Sequence, residues 1–311
     1  MNRTVQQPLP RVPRMLWRDR YLYLLLLPVL AYYIVFKYLP LVGLQIAFRD
    51  FKLNTGMWDS AWVGTKYFQR LFASSIFQRV VWNTLRLNIY NVLFGFPIPI
   101  VLALMFNEMR NQGYKRLTQS LIYIPHFFSW VVLGGMIINL LSPSTGAVNS
   151  LYKAFSGAEQ GIYFMVDKRW WQVVFVGSGI WKEAGWGTII YLAAISGVDP
   201  ELYEAAIIDG ANKRNQILHI TLPCIAPTIA IMLVLRMGGM MDVGFEQIMM
   251  LRNESVNEIA DVISTYVYRQ GVEKTQYSLT TALGIFQSGI SAVLLLATNY
   301  TSKKLGGSGI W

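Results

Sequence analysis

Amide, acidic and aromatic side chains interrupt the apolar stretches of this sequence and are the first candidates for chemistry. Asn83 and Asn88 lie in one apolar stretch, and Trp181 and Glu183 lie in another. Aromatic faces stack on sugar rings, while amides and carboxylates hydrogen-bond to hydroxyl groups, so this set suits a path that carries a sugar. The alternative is structural, because polar groups also join neighbouring membrane helices and tryptophans also mark the membrane interface.

Groups that could perform catalysis or hold a metal are sparse. The sequence has no phosphate-binding G-x-x-x-x-G-K-[ST] and no H-E-x-x-H. Its two histidines, His126 and His219, are far apart, and its acidic residues form no paired acid site. We therefore predict no catalytic residue, no metal site and no cofactor bound by this chain, which is not an enzyme acting alone.

The composition is that of a membrane protein. Of the 311 residues 54% are hydrophobic and only 14% are charged, whereas soluble domains are nearer a quarter charged. The mean hydropathy is +0.37. The formal net charge of +10 fits Lys and Arg at the membrane faces, so we predict contact with lipid headgroups and none with nucleic acid. The single cysteine, Cys224, can form no disulfide within the chain.

Six apolar segments are long enough to cross a bilayer, which takes about 20 residues in a helix. They are residues 21–39, 81–106, 121–141, 173–195, 225–241 and 279–300. Pro97 and Pro99 predict a kink or break in the second segment, because proline removes a helical hydrogen bond. The sequence therefore predicts an all-α membrane protein with six transmembrane helices and with both ends on the same side.

The basic residues indicate which side holds the ends. Residues 1–20 include five arginines, and basic segments close to the ends of spans tend to stay in the cytoplasm. We interpret residues 1–20 as a cytoplasmic basic segment before an uncleaved first span. Residues 21–302 then form one transmembrane domain, and residues 303–311 form a cytoplasmic tail.

One polar stretch between the fourth and fifth spans departs from the membrane pattern. Residues 198–223, VDPELYEAAIIDGANKRNQILHITLP, are typical of two helices. Asp199 can cap the first helix and Pro200 suits its first turn, while Gly210 permits the sharp turn that ends it. The second helix then leads into the fifth span. A rigid helical hairpin with small Ala and Gly residues is suited to being held by another protein.

The same stretch contains a spaced motif, which is E-A-A, three residues, Gly, nine residues and then I-x-L-P. Its positions are filled by Glu204, Ala205, Ala206, Gly210, Ile220, Leu222 and Pro223. The motif resembles the signature loop of permease subunits of ATP-binding-cassette (ABC) importers that use a substrate-binding protein. The segments ISGVDPELYEAAIIDGA, KYLPLVGLQIAFRDF and KKLGGSGIW are similar to the maltose-type carbohydrate branch and, within it, to the lipo- or polysaccharide-type permeases.

The resemblance implies the type I ABC importer permease fold, in which this loop forms a coupling helix that docks in a cleft of an ATPase subunit. Glu204 would be the charged contact and Gly210 the turn, and Asp209 and Ala211 would belong to the same coupling surface. ATP and Mg would be bound by the partner ATPase subunits. The hairpin and both termini would face the cytoplasm, in the plasma membrane of a bacterium, and the subfamily implies a Gram-positive one.

The resemblance also implies the partners and the cargo. These are a second permease that forms a heterodimer with this chain, two ATPase subunits, an extracellular substrate-binding lipoprotein and a carbohydrate, with an oligosaccharide favoured.

Three alternatives remain open from the sequence. One is a secondary transporter that works without ATP, for which internal repeats and acidic ion sites are expected. The others are an ABC importer of an amino acid, a peptide or phosphate, and a sensor or scaffold that keeps the ATPase dock.

Overall fold

The computed structural model describes residues 19–304 and residue 309, and the regular structure in that part of the chain is helical. The basic segment up to residue 18 and most of the expected tail lie outside the described residues. Fifteen α-helices are formed by the described residues. They are α1 Arg20–Tyr33, α2 Lys66–Phe72, α3 Ser75–Tyr90, α4 Pro97–Glu108, α5 Gln112–Tyr123, α6 Trp130–Leu140, α7 Ala147–Ser156, α8 Lys168–Ser196, α9 Pro200–Ile208, α10 Lys213–Gln216, α11 Leu222–Gly238, α12 Phe245–Leu251, α13 Asn257–Ala260, α14 Ile263–Val267 and α15 Tyr277–Lys304.

The first span is longer than predicted and stands apart from the bundle. α1 continues through a π-helical turn, Ile34–Tyr38, and a 3-10 segment, Leu39–Phe48, so that the span covers Arg20–Phe48. None of its most apolar stretch is buried inside this chain. The 3-10 segment packs against α15 and attaches the span to the rest of the protein.

The two prolines of the second span do not interrupt its helical run. α3, a π-helical turn at Asn91–Gly95 and α4 form one span, Ser75–Glu108. Pro97 is the first residue of α4, a position where its missing N–H breaks no helical bond. The wider π turn before it carries the chain into α4, with the Phe96 N–H bonded to the Val92 carbonyl at 3.3 Å.

The third predicted span, 121–141, is not one helix in the structure. Gln112–Phe127 and Trp130–Leu140 meet at 103°, and a 3-10 turn, Ile124–Phe127, lies just before the bend. Phe128 is extended, and the Ser129 side chain caps α6 by accepting from the Val132 N–H. A proline at the start of the 3-10 turn and a serine cap four residues later explain the bend, since they end one helix and begin another.

The last three predicted spans correspond to α8, to the helical run Lys213–Gly238 and to α15. The run and α15 are both apolar enough to cross a membrane, as are the first two spans, and the bent pair adds a fifth if it is one span. α8 has 29 residues, about 44 Å of helix, which exceeds the hydrocarbon core of about 30 Å. It does not pass the same hydropathy criterion, and it carries Lys182 and Glu183 near its centre.

Two apolar clusters lie at opposite ends of α8. One contains Trp171 and Phe175 near its beginning, packed with residues of α3, α12 and α13. The other contains Tyr191 and Ile195 near its end, packed with residues of α4 and α11. A third cluster joins α2, α3, α14 and α15. The middle of α8 therefore lies between two closely packed regions.

Candidate functional site

The first candidate site is the helical hairpin of residues 199–216, which contains α9 and α10. Asp199 caps α9 by accepting from the Glu201 N–H at 3.0 Å, and Pro200 is the first helical residue. Asn212 caps α10 in the same way, accepting from the Asn215 N–H at 2.9 Å. Both caps were expected from the residue types, because Asp and Asn side chains satisfy the free N–H groups of a first turn.

The turn between the two helices depends on Gly210. Its φ is +79°, a left-handed conformation that costs residues with a Cβ about 1–2 kcal/mol. The Ala211 N–H donates to the Ala206 carbonyl at 2.8 Å, and the Gly210 N–H donates to the Ile207 carbonyl at 3.0 Å. These two bonds are the Schellman motif, which satisfies the last carbonyls of a helix. The hairpin can therefore hold its shape without support from another chain.

The outer surface of the hairpin is apolar and uncovered. No residue of α9 is buried, and Ile207 and Ile208 are 60% and 85% exposed. Glu204 and Ala205 are also exposed, and Glu204 has no ion-pair partner among the described residues. Exposed isoleucines beside small residues and an unpaired carboxylate indicate a surface that another protein covers.

The base of the hairpin is fixed to the bundle. The hydroxyls of Tyr203 and Thr221 are 2.9 Å apart. Leu222 packs with the apolar cluster that contains Ile225 and Tyr191. The remaining motif residues are divided between the packed base and the exposed surface. Ala206 and Ile220 are half-buried, while Asp209 and Pro223 are exposed. A force on α9 would therefore reach α8 and α11.

The second candidate site is a cavity of about 480 Å³ beside the middle of α8. It has one wall from α8, others from the second span and α11, and contributions from α6 and the segment 242–247. Its polar and aromatic lining residues are Asn88, Asn91, Phe96, Trp130, Glu183, Trp186, Tyr191, Arg236, Asp242 and Gln247. Rings, amides and charges of both signs in a mostly apolar concave wall are typical of a site for a polar organic molecule.

The structure divides the four residues expected along a sugar path. Asn88 and Glu183 line the cavity, whereas Asn83 and Trp181 do not. The Asn83 amide is buried and donates to the carbonyls of Glu258 and Asp261, both at 2.9 Å. The Asn88 amide also donates to main-chain carbonyls, those of Met240 and Asp242. Both asparagines therefore join α3 to the segment between α11 and α14.

Residues of α8 hold the bend of the third span. The Lys182 ammonium is buried and donates to the carbonyls of His126 and Phe128 at 2.6 and 2.8 Å. The first carbonyl lies in the 3-10 turn and the second within the bend, where a helix end leaves acceptors without helical partners. His126 Nδ1 lies 2.9 Å from Glu183 Oε2, and the His126 ring stacks on Trp186 with centroids 4.6 Å apart.

Eight of the ten polar and aromatic cavity residues were absent from the predicted path, among them Trp130, Trp186 and Arg236. Helical spacing could have found Trp186, because it follows Glu183 by three residues and so shares its face, while Trp181 lies about 140° away from Trp186. Trp130 could not be found in this way, since its place depends on the bend. The Arg236 guanidinium has no hydrogen-bond or ion-pair partner among the described residues, and the residue lines the cavity from α11.

An all-helical membrane chain with an exposed helical hairpin and a cavity that carries polar groups in a mostly apolar wall fits the class of transport permeases. The family model for the binding-protein-dependent transport system inner membrane component matches residues 95–306. The chain belongs to this family, which confirms the resemblance seen in the motif and the expected fold class. It is the membrane permease subunit of an ABC importer, and ATP hydrolysis resides on other subunits.

Two relatives and one solved structure show how far the similarity extends. Protein LplB of Bacillus subtilis is 43% identical over 294 residues, covering 94% of this chain and 92% of the relative. The polygalacturonan/rhamnogalacturonan transport system permease YteP of the same organism is also 43% identical, covering 94% and 91%. A chain of a bacterial ABC transporter involved in the import of the acidic polysaccharide alginate is 43% identical with a TM-score of 0.87, covering 94% of this chain and 99% of that one.

Proposed function

We propose that this permease imports a polysaccharide or oligosaccharide through a path that includes the cavity beside α8. The relatives named for polygalacturonan/rhamnogalacturonan and for alginate support the carbohydrate class. The cavity supports it physically, because tryptophan faces and amide or carboxylate groups are the partners that sugar rings and hydroxyls need. Asn88 and Glu183 belong to this path, and Asn83 and Trp181 act outside the cavity wall.

The exposed hairpin is the observation that best supports ATP-driven coupling. α9 displays Ile207, Ile208 and Glu204 to the outside, while its base packs on α8 and α11. In this proposal the hairpin docks on an ATPase subunit, with Glu204, Ala205, Ala206, Asp209, Gly210, Ala211, Ile220, Leu222 and Pro223 forming the coupling element. ATP and Mg bind to two such ATPase subunits and to no site on this chain.

A second permease completes the path. The first span supports this partner, since none of its most apolar stretch is covered within this chain and it is attached mainly at 39–48. Such a helix can pack against a neighbouring subunit as well as against lipid. In the proposed assembly the two permeases form a heterodimer that encloses the cavity.

The proposed orientation follows from the hairpin. An ATPase dock must be cytoplasmic, so both ends of the chain are cytoplasmic too, and the segment between α11 and α15 lies outside. A substrate-binding lipoprotein would deliver the sugar at that outer face. The two Bacillus relatives favour the cell membrane of a Gram-positive bacterium.

The test is to tag this chain, solubilise native membranes in a mild detergent and identify the copurifying proteins by mass spectrometry. We expect an ATPase, a second six-span permease and a binding protein. The assembly, reconstituted in liposomes with ATP inside, should then import an alginate pentasaccharide or a galacturonate oligosaccharide. A folded chain that copurifies with no ATPase in several detergents would contradict the coupling role. An assembly that imports amino acids but neither sugar would contradict the carbohydrate class.

A further inference from the structure

Given a carbohydrate importer as proposed above, we infer that Trp130 and Trp186 form a wall on which a transported sugar ring stacks. We further infer that Lys182 is the positioning residue that holds this wall in place through the bend of the third span. Neither the family match nor the names of the relatives assign a role to these three residues.

The two tryptophans are the only indole rings of the described chain that line the cavity. They come from different helices, since Trp186 lies on α8 and Trp130 is the first residue of α6. Trp186 stays 46% exposed, although one face of its ring is stacked on His126 with an interplanar angle of 2°. A large aromatic surface in a polar-lined cavity is available for a flat apolar face, and sugar rings present such faces.

The bend determines where Trp130 lies and brings the His126 ring onto Trp186, whose own place is set by α8. His126, whose ring stacks on Trp186, is in the 3-10 turn before the bend, and Trp130 starts the helix after it. The Lys182 ammonium bonds to the His126 carbonyl in the turn and to the Phe128 carbonyl within the bend, and it lies 5.8 Å from the Trp130 ring centroid. A single buried cation thus holds the turn that leads into Trp130, which lines the same cavity as Trp186 on the cation's own helix.

The groups around the wall favour recognition of sugar hydroxyls over recognition of net charge. The amides of Asn91 and Gln247 and the carboxylates of Glu183 and Asp242 line the same cavity as the Arg236 guanidinium. Because the cavity combines one unpaired cation with two carboxylates, it does not select strongly for an anion. We therefore assign the wall to the ring faces of a saccharide, whether that saccharide is neutral or acidic.

Thiol labelling tests the position of the wall without any sugar. In the assembled transporter with Cys224→Ser, the variants Trp130→Cys and Trp186→Cys should react with a charged, water-soluble methanethiosulfonate reagent. Trp181→Cys is the matched control, because it lies on the same helix and is 51% exposed but faces away from the cavity. Labelling at 181 as fast as at 186, or labelling at 186 by lipid-soluble reagents only, would overturn the proposal.

Coupled transport tests the stacking itself. With Trp186→Leu or Trp130→Leu, the amount of alginate pentasaccharide imported per ATP hydrolysed should fall by roughly 3- to 10-fold, the range for one aromatic contact. ATP hydrolysis stimulated by the loaded binding protein should stay within about 2-fold, and Trp181→Leu should change neither quantity. A parallel fall of hydrolysis and import would indicate a folding defect and contradict a stacking role.

The positioning role of Lys182 is tested by measuring how its substitution changes thiol labelling of Trp130→Cys. Lys182→Met should remove the selective labelling of Trp130→Cys, and Lys182→Arg, which keeps a cation, should restore most of it. Labelling that is unchanged in Lys182→Met would contradict the positioning role. If wild-type transporter imports neither test sugar, the carbohydrate assignment fails, while the labelling pattern still decides whether the wall lines the cavity.

Discussion

The hairpin and the bent third span are both irregular parts of a membrane bundle, yet they are built in opposite ways. The hairpin is closed by bonds between near neighbours in sequence, such as those from Ala211 to Ala206 and from Gly210 to Ile207. The bend is held by Lys182, which lies 54 and 56 positions from the residues it bonds. In the proposed function the hairpin acts through the surface that it exposes to a partner, whereas the bend acts through the residues that it holds in place inside the chain.

The difference predicts opposite responses to mutation. Substitutions on the hairpin surface should damage function while the fold remains, because few hairpin side chains are buried. Substitutions at the bend should damage the fold first, because several close contacts meet there.

Gly185→Ala should have the largest effect. A Cβ at Gly185 would lie 2.2 Å from the Ile122 carbonyl oxygen on α5, and that atom is backbone, so α5 and α8 would have to separate. We expect a loss of at least about 3 kcal/mol, seen as a large fall in thermal unfolding temperature in detergent. Gly177→Ala, on the same helix with nothing within 4 Å, is the control and should be neutral. Equal stability of the two variants would show that the helices are not in close contact here.

Glu204→Lys should abolish coupling without unfolding the chain. The side chain is exposed and unpaired, so the change costs the fold little, but it reverses the charge on the proposed ATPase dock. We expect a fall of at least 10-fold in ATP-driven uptake, with unchanged membrane insertion and unfolding temperature. Glu159→Lys, exposed in the segment before α8, makes the same charge change and should leave uptake intact. Normal uptake in Glu204→Lys would remove this residue from the dock.

Gly210→Leu should have an intermediate effect. The left-handed conformation makes a Cβ cost about 1–2 kcal/mol at this position, which is enough to distort the turn. We expect weaker copurification of the ATPase, with the spans still folded. Gly197→Ala is the control, because Gly197 also ends a helix but has a φ of −88°. An unchanged complex in Gly210→Leu would mean that the turn geometry does not matter for docking.

These contrasts also explain what could be predicted from the sequence. The hairpin, its caps and its glycine turn could be predicted because each bond joins residues a few positions apart, so residue type and spacing are enough. The six helical regions could be predicted because hydropathy is a property of continuous segments. Even so, the polar centre of α8 weakens the hydropathy signal at a helix whose middle forms one wall of the cavity.

The bend and the cavity could not be predicted from the same patterns. Pro125 and Ser129 can end one helix and begin another, but residue type alone does not give the 103° angle or the lysine from another helix that bonds to carbonyls there. Asn83 and Asn88 have the residue type expected for a sugar path, but their amides are used by main-chain carbonyls across the bundle. Which polar group bonds to protein and which faces a cavity depends on packing between distant segments.

The smallest expected effect concerns two bonds at the base of the hairpin, which should differ in how much they contribute to coupling. Lys213 and Glu108 form an exposed ion pair at 3.3 Å, and exposed pairs contribute about 0–1 kcal/mol. Tyr203 and Thr221 share a half-buried hydrogen bond, which is typically worth about 1 kcal/mol. Lys213→Ala should therefore leave uptake and unfolding temperature within error, whereas Tyr203→Phe should lower coupling measurably because α9 is then less firmly joined to the fifth span. The reverse order, measured as sugar imported per ATP in the same liposomes, would mean that charge at the membrane face, and not the hydroxyl bond, transmits force from the hairpin.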